Sequence, residues 1–282
     1  MQLKPIDSAC MGDAAALLSQ GFPERSGEFW NSALERLSSY REAANVGPIG
    51  QLMYVGGHAV GIILTIGSRR TNGVDERTVV NLSSWYVDAK HRWLAPRMLQ
   101  KVTADESAVY TDISPSSSTV PINNQLGFRT TSHGVMLFVL PWLAMTRFSR
   151  SRVIGLAGLP EHALSGEDHR LLSDHHRLGC LAAAIEADGK YHPLLFHKTH
   201  RKGLSVARLL FAESREIVGN HIAAVARFLL RNRVMMLTIH ADTDKTIPGS
   251  IAWNQHAPVQ VKGTWDNARV DHAFSELVFL RL

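Results

Sequence analysis

Cysteine is scarce in this chain: Cys10 and Cys180 are the only two among 282 residues. Two thiols build neither a disulfide framework nor a cysteine-rich zinc site, so they read as reduced thiols of a cytoplasmic protein. Aromatic residues make up 7% and charged residues 20%, with no long block of one sign, which argues against wholesale disorder. Long apolar runs are also missing. The longest, Val135 to Ala144, is interrupted by Pro141 and is too short to span a bilayer. The N-terminal MQLKPIDSACMGDAAALL has no basic stretch followed by an apolar core, so no secretory signal is read and no membrane partner is expected. There is no Walker loop, no Gly-x-Gly-x-x-Gly after a strand, no His-Glu-x-x-His and no Gly-x-Ser-x-Gly elbow.

What is present is ordinary globular material. Apolar residues reach 45%, enough for real cores, and the length suits two domains or one large one. Lys and Arg number 30 against 25 Asp and Glu, a formal charge of +5. That excess favours anionic partners without choosing among nucleic acid, lipid and a phosphorylated small molecule.

Periodicity places a helical stretch from Asp13 to Tyr40, broken at Gly21 and Pro23. Strands follow at Gln51–Tyr54 and Ala59–Ile66 around the turn Gly56–Gly57, then a polar loop Ser68–Arg77 and a strand Thr78–Val87. A basic turn leads to a helix over Ala95–Thr103, then strands at Val109–Ile113 and Val135–Leu140. Pro141–Gly166, rich in Pro and Gly and carrying Arg147, Arg150 and Arg152, reads as a junction. Beyond it come strands at Gly179–Ala187, Tyr191–His197 and Leu204–Phe211, a helix Arg215–Asn232 capped by Ser214, and a strand Val234–His240. Both halves therefore read strand, turn, strand, strand, helix, strand. The expected fold class is α/β, a mixed and mostly antiparallel sheet flanked by helices, in two tandem units spanning 1–144 and 145–282.

Three segments of the first half carry a family resemblance. YVGGHAVGIILTI (Tyr54 to Ile66), WYVDAKHRWLAPRML (Trp85 to Leu99) and NNQLGF (Asn123 to Phe128) together resemble the GNAT superfamily of acyl-CoA N-acyltransferases. The second half is similar to a degenerate unit of the same kind by layout alone. The resemblance implies an acyltransferase that moves an acyl group, most simply acetyl, from acetyl-CoA or another acyl-CoA to a small-molecule or peptide amine. It implies no metal, makes nucleic acid a poor partner, and leaves a homo-oligomer open. The alternative is a non-catalytic acyl-CoA-binding module that kept the fold and lost the general acid.

The resemblance places the CoA pyrophosphate on the turn holding Val87, Arg92, Trp93, Leu94, Ala95, Arg97 and Met98. Chemistry agrees with that placement. Lys90, His91, Arg92 and Arg97 surround a helix start carrying Pro96, whose missing N–H costs nothing there, and the next amides can receive an anion. Two departures stand out. Residues with Cβ atoms replace both glycines of the family loop, and Asn123 stands where the family places a tyrosine general acid. Tyr86, Asp112 and Ser116 are the candidate substitutes; Tyr110, on one strand face with Asp112, could also serve, and a backbone amide near Ser84–Tyr86 would stabilise the oxyanion.

Other clusters are declined. EDHRLLSDHHRLG (Glu167 to Gly179) matches no metal-ligand spacing and reads as a polar loop. HKTHRKG (His197 to Gly203) reads as a solvated hairpin turn. Glu213 and Glu216 after the strand ending at Ala212 make a poor phosphate site, so the second half has no expected CoA loop.

Overall fold

A computed structural model gives the fold and describes residues 1–71, 76–132, 134–146, 150–201, 203–241, 247–254 and 258–280. Arg147, Lys202 and the centre of the expected Ser68–Arg77 loop lie outside those residues. The chain forms two compact units. One comprises Met1–Arg129, Val259–Trp265 and Phe274–Leu280; the other comprises Thr130–Pro258 and Asp266–Ala273.

The first stretch of chain holds β1 (Gln2–Pro5), α1 (Met11–Gly21), α2 (Gly27–Ala44), β2 (Gly50–Val55), β3 (His58–Thr71), β4 (Glu76–Val87), α3 (Ala95–Val102), β5 (Val109–Asp112), α4 (Thr119–Gln125) and β6 (Arg129–Ser132). Next come β7 (Gly134–Val139), α5 (Leu140–Thr146), β8 (Arg152–Gly155), α6 (Gly166–Arg177), β9 (Leu181–Ala187), β10 (Lys190–Arg201), β11 (Leu204–Ala212), α7 (Arg215–Asn220), α8 (Ile222–Arg231), β12 (Met236–Ala241) and β13 (Ile251–Asn254). The last stretch supplies β14 (Val259–Lys262), β15 (Val270–Asp271) and α9 (Glu276–Phe279).

Two sheets result, ordered β1-β2-β3-β4-β5-β14-β6 and β13-β7-β12-β11-β10-β9-β8. Most neighbours run antiparallel; β4–β5 and β11–β12 are parallel. Each sheet carries its own core. In the first, Met53, Ile63, Leu82 and Tyr110 pack with Met98 and Leu99 of α3. In the second, Phe138, Ile185, Phe196 and Leu237 pack with Val225 and Leu229 of α8. Each such fully buried aliphatic or aromatic side chain contributes roughly 1.5–3 kcal/mol.

Local signals explain many boundaries. α2 starts where Ser26 Oγ accepts the Phe29 N–H at 3.2 Å and stops at Asn45, whose φ of 48° is left-handed. The turn at Gly56 and Gly57 has φ of 60° and 86°, which only glycine adopts without strain.

Other boundaries differ from the sequence expectation. Ser68–Thr71 is strand, because the β3–β4 ladder continues through Arg69↔Thr78 to Thr71↔Glu76. Pro141–Gly166 is not simply a junction, since it supplies α5 and β8 to the second sheet's core. Glu167–Gly179 is mostly helix rather than loop. Ser165 caps α6 by accepting the Asp168 N–H at 3.1 Å, and Leu171, Leu172 and His175 form its buried face. The helix expected at Arg215–Asn232 is divided at His221 into α7 and α8.

Candidate functional site

The site is built where β4 and β5 part. These parallel strands register at Val79↔Val109, Val80↔Tyr110 and Asn81↔Thr111, where their pairing ends. Just beyond, β4 bulges: Ile62 pairs with Tyr86 and Leu64 with Ser83, so two residues of β4 face one of β3. Ser84 lies in that bulge with φ of 48°, a left-handed conformation that costs a non-glycine residue roughly 1–2 kcal/mol. Such a bulge leaves its extra residue unpaired in the ladder and bends the strand locally.

The gap between the two strands is lined with polar groups. Asn81 Nδ2 donates to Thr111 O at 3.3 Å and to Thr111 Oγ1 at 3.2 Å, stitching the strands together at their last shared register. Glu276, the first residue of α9, is 3% exposed and sits in the gap. Its N–H donates to Asn81 Oδ1 at 3.1 Å. Ser83 Oγ of β4 donates to one carboxylate oxygen of Glu276, and Ser114 Oγ beyond β5 donates to the other. Ser114 itself is exposed, so this end of the gap reaches solvent.

Asp112 closes the other side. It is 9% exposed at the end of β5. Burial pushes its carboxyl up to about 7; Asn123 opposes the rise by hydrogen bonding, and the charge of Glu276 adds to it. Asn123 is fully buried and spends both amide hydrogens, one on Asp112 Oδ2 and one on Gln260 Oε1, each at 2.9 Å. Gln260 Nε2 in turn donates to Asn124 Oδ1 at 2.7 Å. The residue that departs from the family's tyrosine thus positions a carboxylate.

α9 is held by aromatic and cationic contacts. Tyr40 stacks on Phe274 at 5.6 Å and tilts against Phe279 at 4.6 Å. The Arg70 guanidinium lies 4.8 Å from the Phe274 ring, and Arg36 Nε donates to Phe279 O at 3.1 Å.

The three catalytic candidates from sequence have different surroundings. Asp112 is in the gap. Tyr86 packs its ring against Gly21 at the end of α1, where any Cβ would overlap it. Ser116 is exposed and bonds Ser118 Oγ at 2.9 Å, Thr119 Oγ1 at 2.8 Å and the Thr119 N–H at 3.2 Å, as a cap for the start of α4. Glu276, Asn81, Ser83, Ser114 and Gln260 went unread in the sequence. Only the short apolar run after Glu276 hinted that its carboxylate would be buried.

The expected pyrophosphate turn has a definite shape. Asp88 starts a 3-10 turn over Ala89–Leu94, accepting the Lys90 N–H on its side chain at 3.3 Å, and the turn runs straight into α3. Leu94, the residue before α3, is itself helical, and Pro96 lies in the first turn. Val87, Leu94, Ala95 and Met98 bury their side chains in the first core. Arg92, Trp93 and Arg97 are exposed, Trp93 by 75%. A helical turn stands in place of the glycine loop, with three exposed cationic side chains (Lys90, Arg92 and Arg97) around it. Asp88 brings an acid beside them, 3.7 Å from His91 Nδ1.

The second sheet repeats the parting. β11 and β12 register at Val206↔Met236, Ala207↔Leu237 and Arg208↔Thr238. β15 then pairs with β11 at Phe211↔Asp271 and Ala212↔Val270, and the His272 N–H donates to Leu210 O at 2.7 Å. The polar groups buried here are imidazoles. His240 and His272 lie 4.8 Å apart, and neither ring has a hydrogen-bond partner among the described residues.

Solved structures share this architecture. A GCN5-related N-acetyltransferase from Anabaena variabilis superposes with a TM-score of 0.59 at 8% identity, over 92% of this chain and 72% of that one. A structure described as a putative acetyltransferase from Pyrococcus horikoshii gives 0.55 at 12%, over 97% and 92%. A tandem GNAT protein from the clavulanic acid biosynthesis pathway gives 0.52 at 11%, over 94% and 99%. The chain has the GNAT fold.

No protein-family model matches the sequence, and no curated protein does either. At such identities the GNAT likeness is one of fold, and the two sheets fit two GNAT-like units. Among the described residues no group of three or more His, Cys, Asp or Glu is placed to hold a metal, and no helix is long and apolar enough to cross a membrane.

Proposed function

We propose that the first unit moves an acyl group from acyl-CoA, most simply acetyl-CoA, to the amine of a small molecule or peptide. The observation that carries this reading is Asp112, a buried carboxyl with a pKa of about 7 at the parting of β4 and β5. A base at that value is half ionised at neutral pH, close to the optimum for proton transfer.

In this reading Asp112 accepts the proton that the acceptor nitrogen sheds as its bond to the acyl carbon forms. It returns that proton to the sulfur as the carbon–sulfur bond breaks, the role the missing tyrosine would have filled. Amides of the Ser84 bulge donate to the developing oxyanion. Arg92 and Arg97, with Lys90, hold the pyrophosphate by charge, and Trp93 offers its exposed face to an apolar part of the cofactor. Asn123 keeps Asp112 oriented, and Glu276 tunes its affinity for the proton.

A second reading, an acyl-CoA-binding module without chemistry, is favoured by one observation. Glu276 and its hydrogen bonds already fill much of the gap. Calorimetric titration with acetyl-CoA and longer acyl-CoAs, followed by thiol release over an amine panel, separates the two. Binding with thiol release that Asp112→Asn lowers by about 10²–10³-fold supports transfer. Binding without release for any amine supports the module, and no binding at all removes both.

A further inference from the structure

A hydroxyl and an imidazole meet in the second unit, away from any group used above. Ser151, just ahead of β8, places its Oγ 3.0 Å from Nδ1 of His221, the residue between α7 and α8. Both are half-buried, and both line a cavity of about 490 Å³ together with Arg150 and Asp188. We propose that Ser151 and His221 form a nucleophile–base pair that cleaves a small acyl ester, with Arg150 receiving a carboxylate on the substrate.

The surroundings suit that chemistry. Burial lowers the His221 pKa below its ordinary value and the nearby His192 adds to this, while Asp188 opposes it. The ring therefore stays neutral near pH 7 and free to take a proton. Asp188 is on the β9–β10 turn and lines the same cavity. The other acid of the cavity, Glu186, is engaged by Arg152 and by the Tyr191 hydroxyl at 3.3 Å. Asp188 is the carboxylate whose charge reaches the His221 ring.

The step balances without any further reactant than water. Ser151 Oγ bonds to the ester carbonyl carbon as its proton passes to His221 Nδ1. The carbon–oxygen bond to the leaving alcohol breaks, and the alcohol departs with that proton. Water then gives a proton to His221 and its oxygen to the acyl carbon, which frees the acid and restores the Ser151 hydroxyl.

The test uses the full chain with 4-nitrophenyl acetate and its carboxylate-bearing counterpart, 4-nitrophenyl hemisuccinate. Nitrophenolate release is expected with both esters and faster with the second. Acid-quenched wild-type protein should carry the acyl group on the peptide containing Ser151. Ser151→Ala and His221→Ala should each lower release by at least about 100-fold. Release at the wild-type rate in Ser151→Ala, an acyl group on another residue, or no release above buffer would overturn the proposal. Should either variant fail to fold, the wild-type adduct decides.

Discussion

At the scale of single residues, the role proposed for Asp112 sets function against stability. Its carboxyl titrates near 7 in the fold against 3.8 when unperturbed. A raised carboxyl stabilises the folded chain below the unfolded value, and that contribution is lost as pH rises through the folded value. Above pH 7 the fold therefore carries a buried charge at a cost on the order of 2–4 kcal/mol. Asp112→Asn should lose acyl transfer yet melt higher at pH 8, with the gain vanishing near pH 4; calorimetry at the two pH values measures this. A lower melting point at pH 8 would mean that Asp112 is stabilised as a carboxylate. Asp112 was legible in the sequence as a polar residue ending a central strand. Asn123 was legible only as a departure, because its bonds to Asp112 and Gln260 depend on strands far apart in sequence.

At the scale of elements, strong local signals located α1, α2, α3, the stretch that forms α7 and α8, and the first hairpin. α1 and α2 follow from helical periodicity broken near Gly21, and the β2–β3 hairpin from Gly56 and Gly57. α6 was missed although Ser165 and Asp168 signal its start, because its apolar face is only Leu171 and Leu172 beside the buried His175. The short elements β13, β14, β15 and α9 have two to four residues each. Nothing so brief carries a readable period, and tertiary contacts shape them. The turn into α3 makes its own prediction. Arg92 and Arg97 are exposed, so replacing both by Ala should leave folding stability within about 0.5 kcal/mol of wild type per substitution. The same double variant should weaken acetyl-CoA binding about tenfold or more in calorimetric titration. Unchanged affinity would place the pyrophosphate elsewhere.

At the scale of the whole molecule, the two sheets bury different polar groups where their parallel strands part. The first unit holds carboxylates there, the second imidazoles. Burial depresses the pKa of His272 to about 3, and Arg208 and Arg215 deepen the effect; His240 is lowered well below 6.5 by burial, His272 and the same arginines. Both rings must therefore stay neutral in the fold, while the unfolded chain takes up protons below about 6.5. Their share of stability is complete above that pH and falls on acidification by about 1.4 kcal/mol per imidazole per pH unit, until the folded pKa is reached. Thermal melts between pH 7 and 4.5 should show an acid-labile transition, and His240→Leu with His272→Leu should flatten its pH dependence. An unchanged slope in the double variant would exclude these rings as its source. The α/β class and the two-unit layout were legible because strand and helix periods alternate twice. Which strands exchange partners was not, since pairings such as β14 with β5 join residues that no local pattern connects.

If Asp112 moves the proton in acyl transfer, its ionisation governs the pH profile of kcat/KM for thiol release with one acceptor held fixed. In wild type the rate should rise with pH through about 7, as Asp112 ionises. Glu276→Gln removes a charge that raises the pKa, so its profile should shift to lower pH. Asn123→Ala removes a hydrogen bond that lowers it, so its profile should shift to higher pH. Opposite shifts of the two variants are the predicted result; profiles that coincide with wild type would contradict the assignment of Asp112.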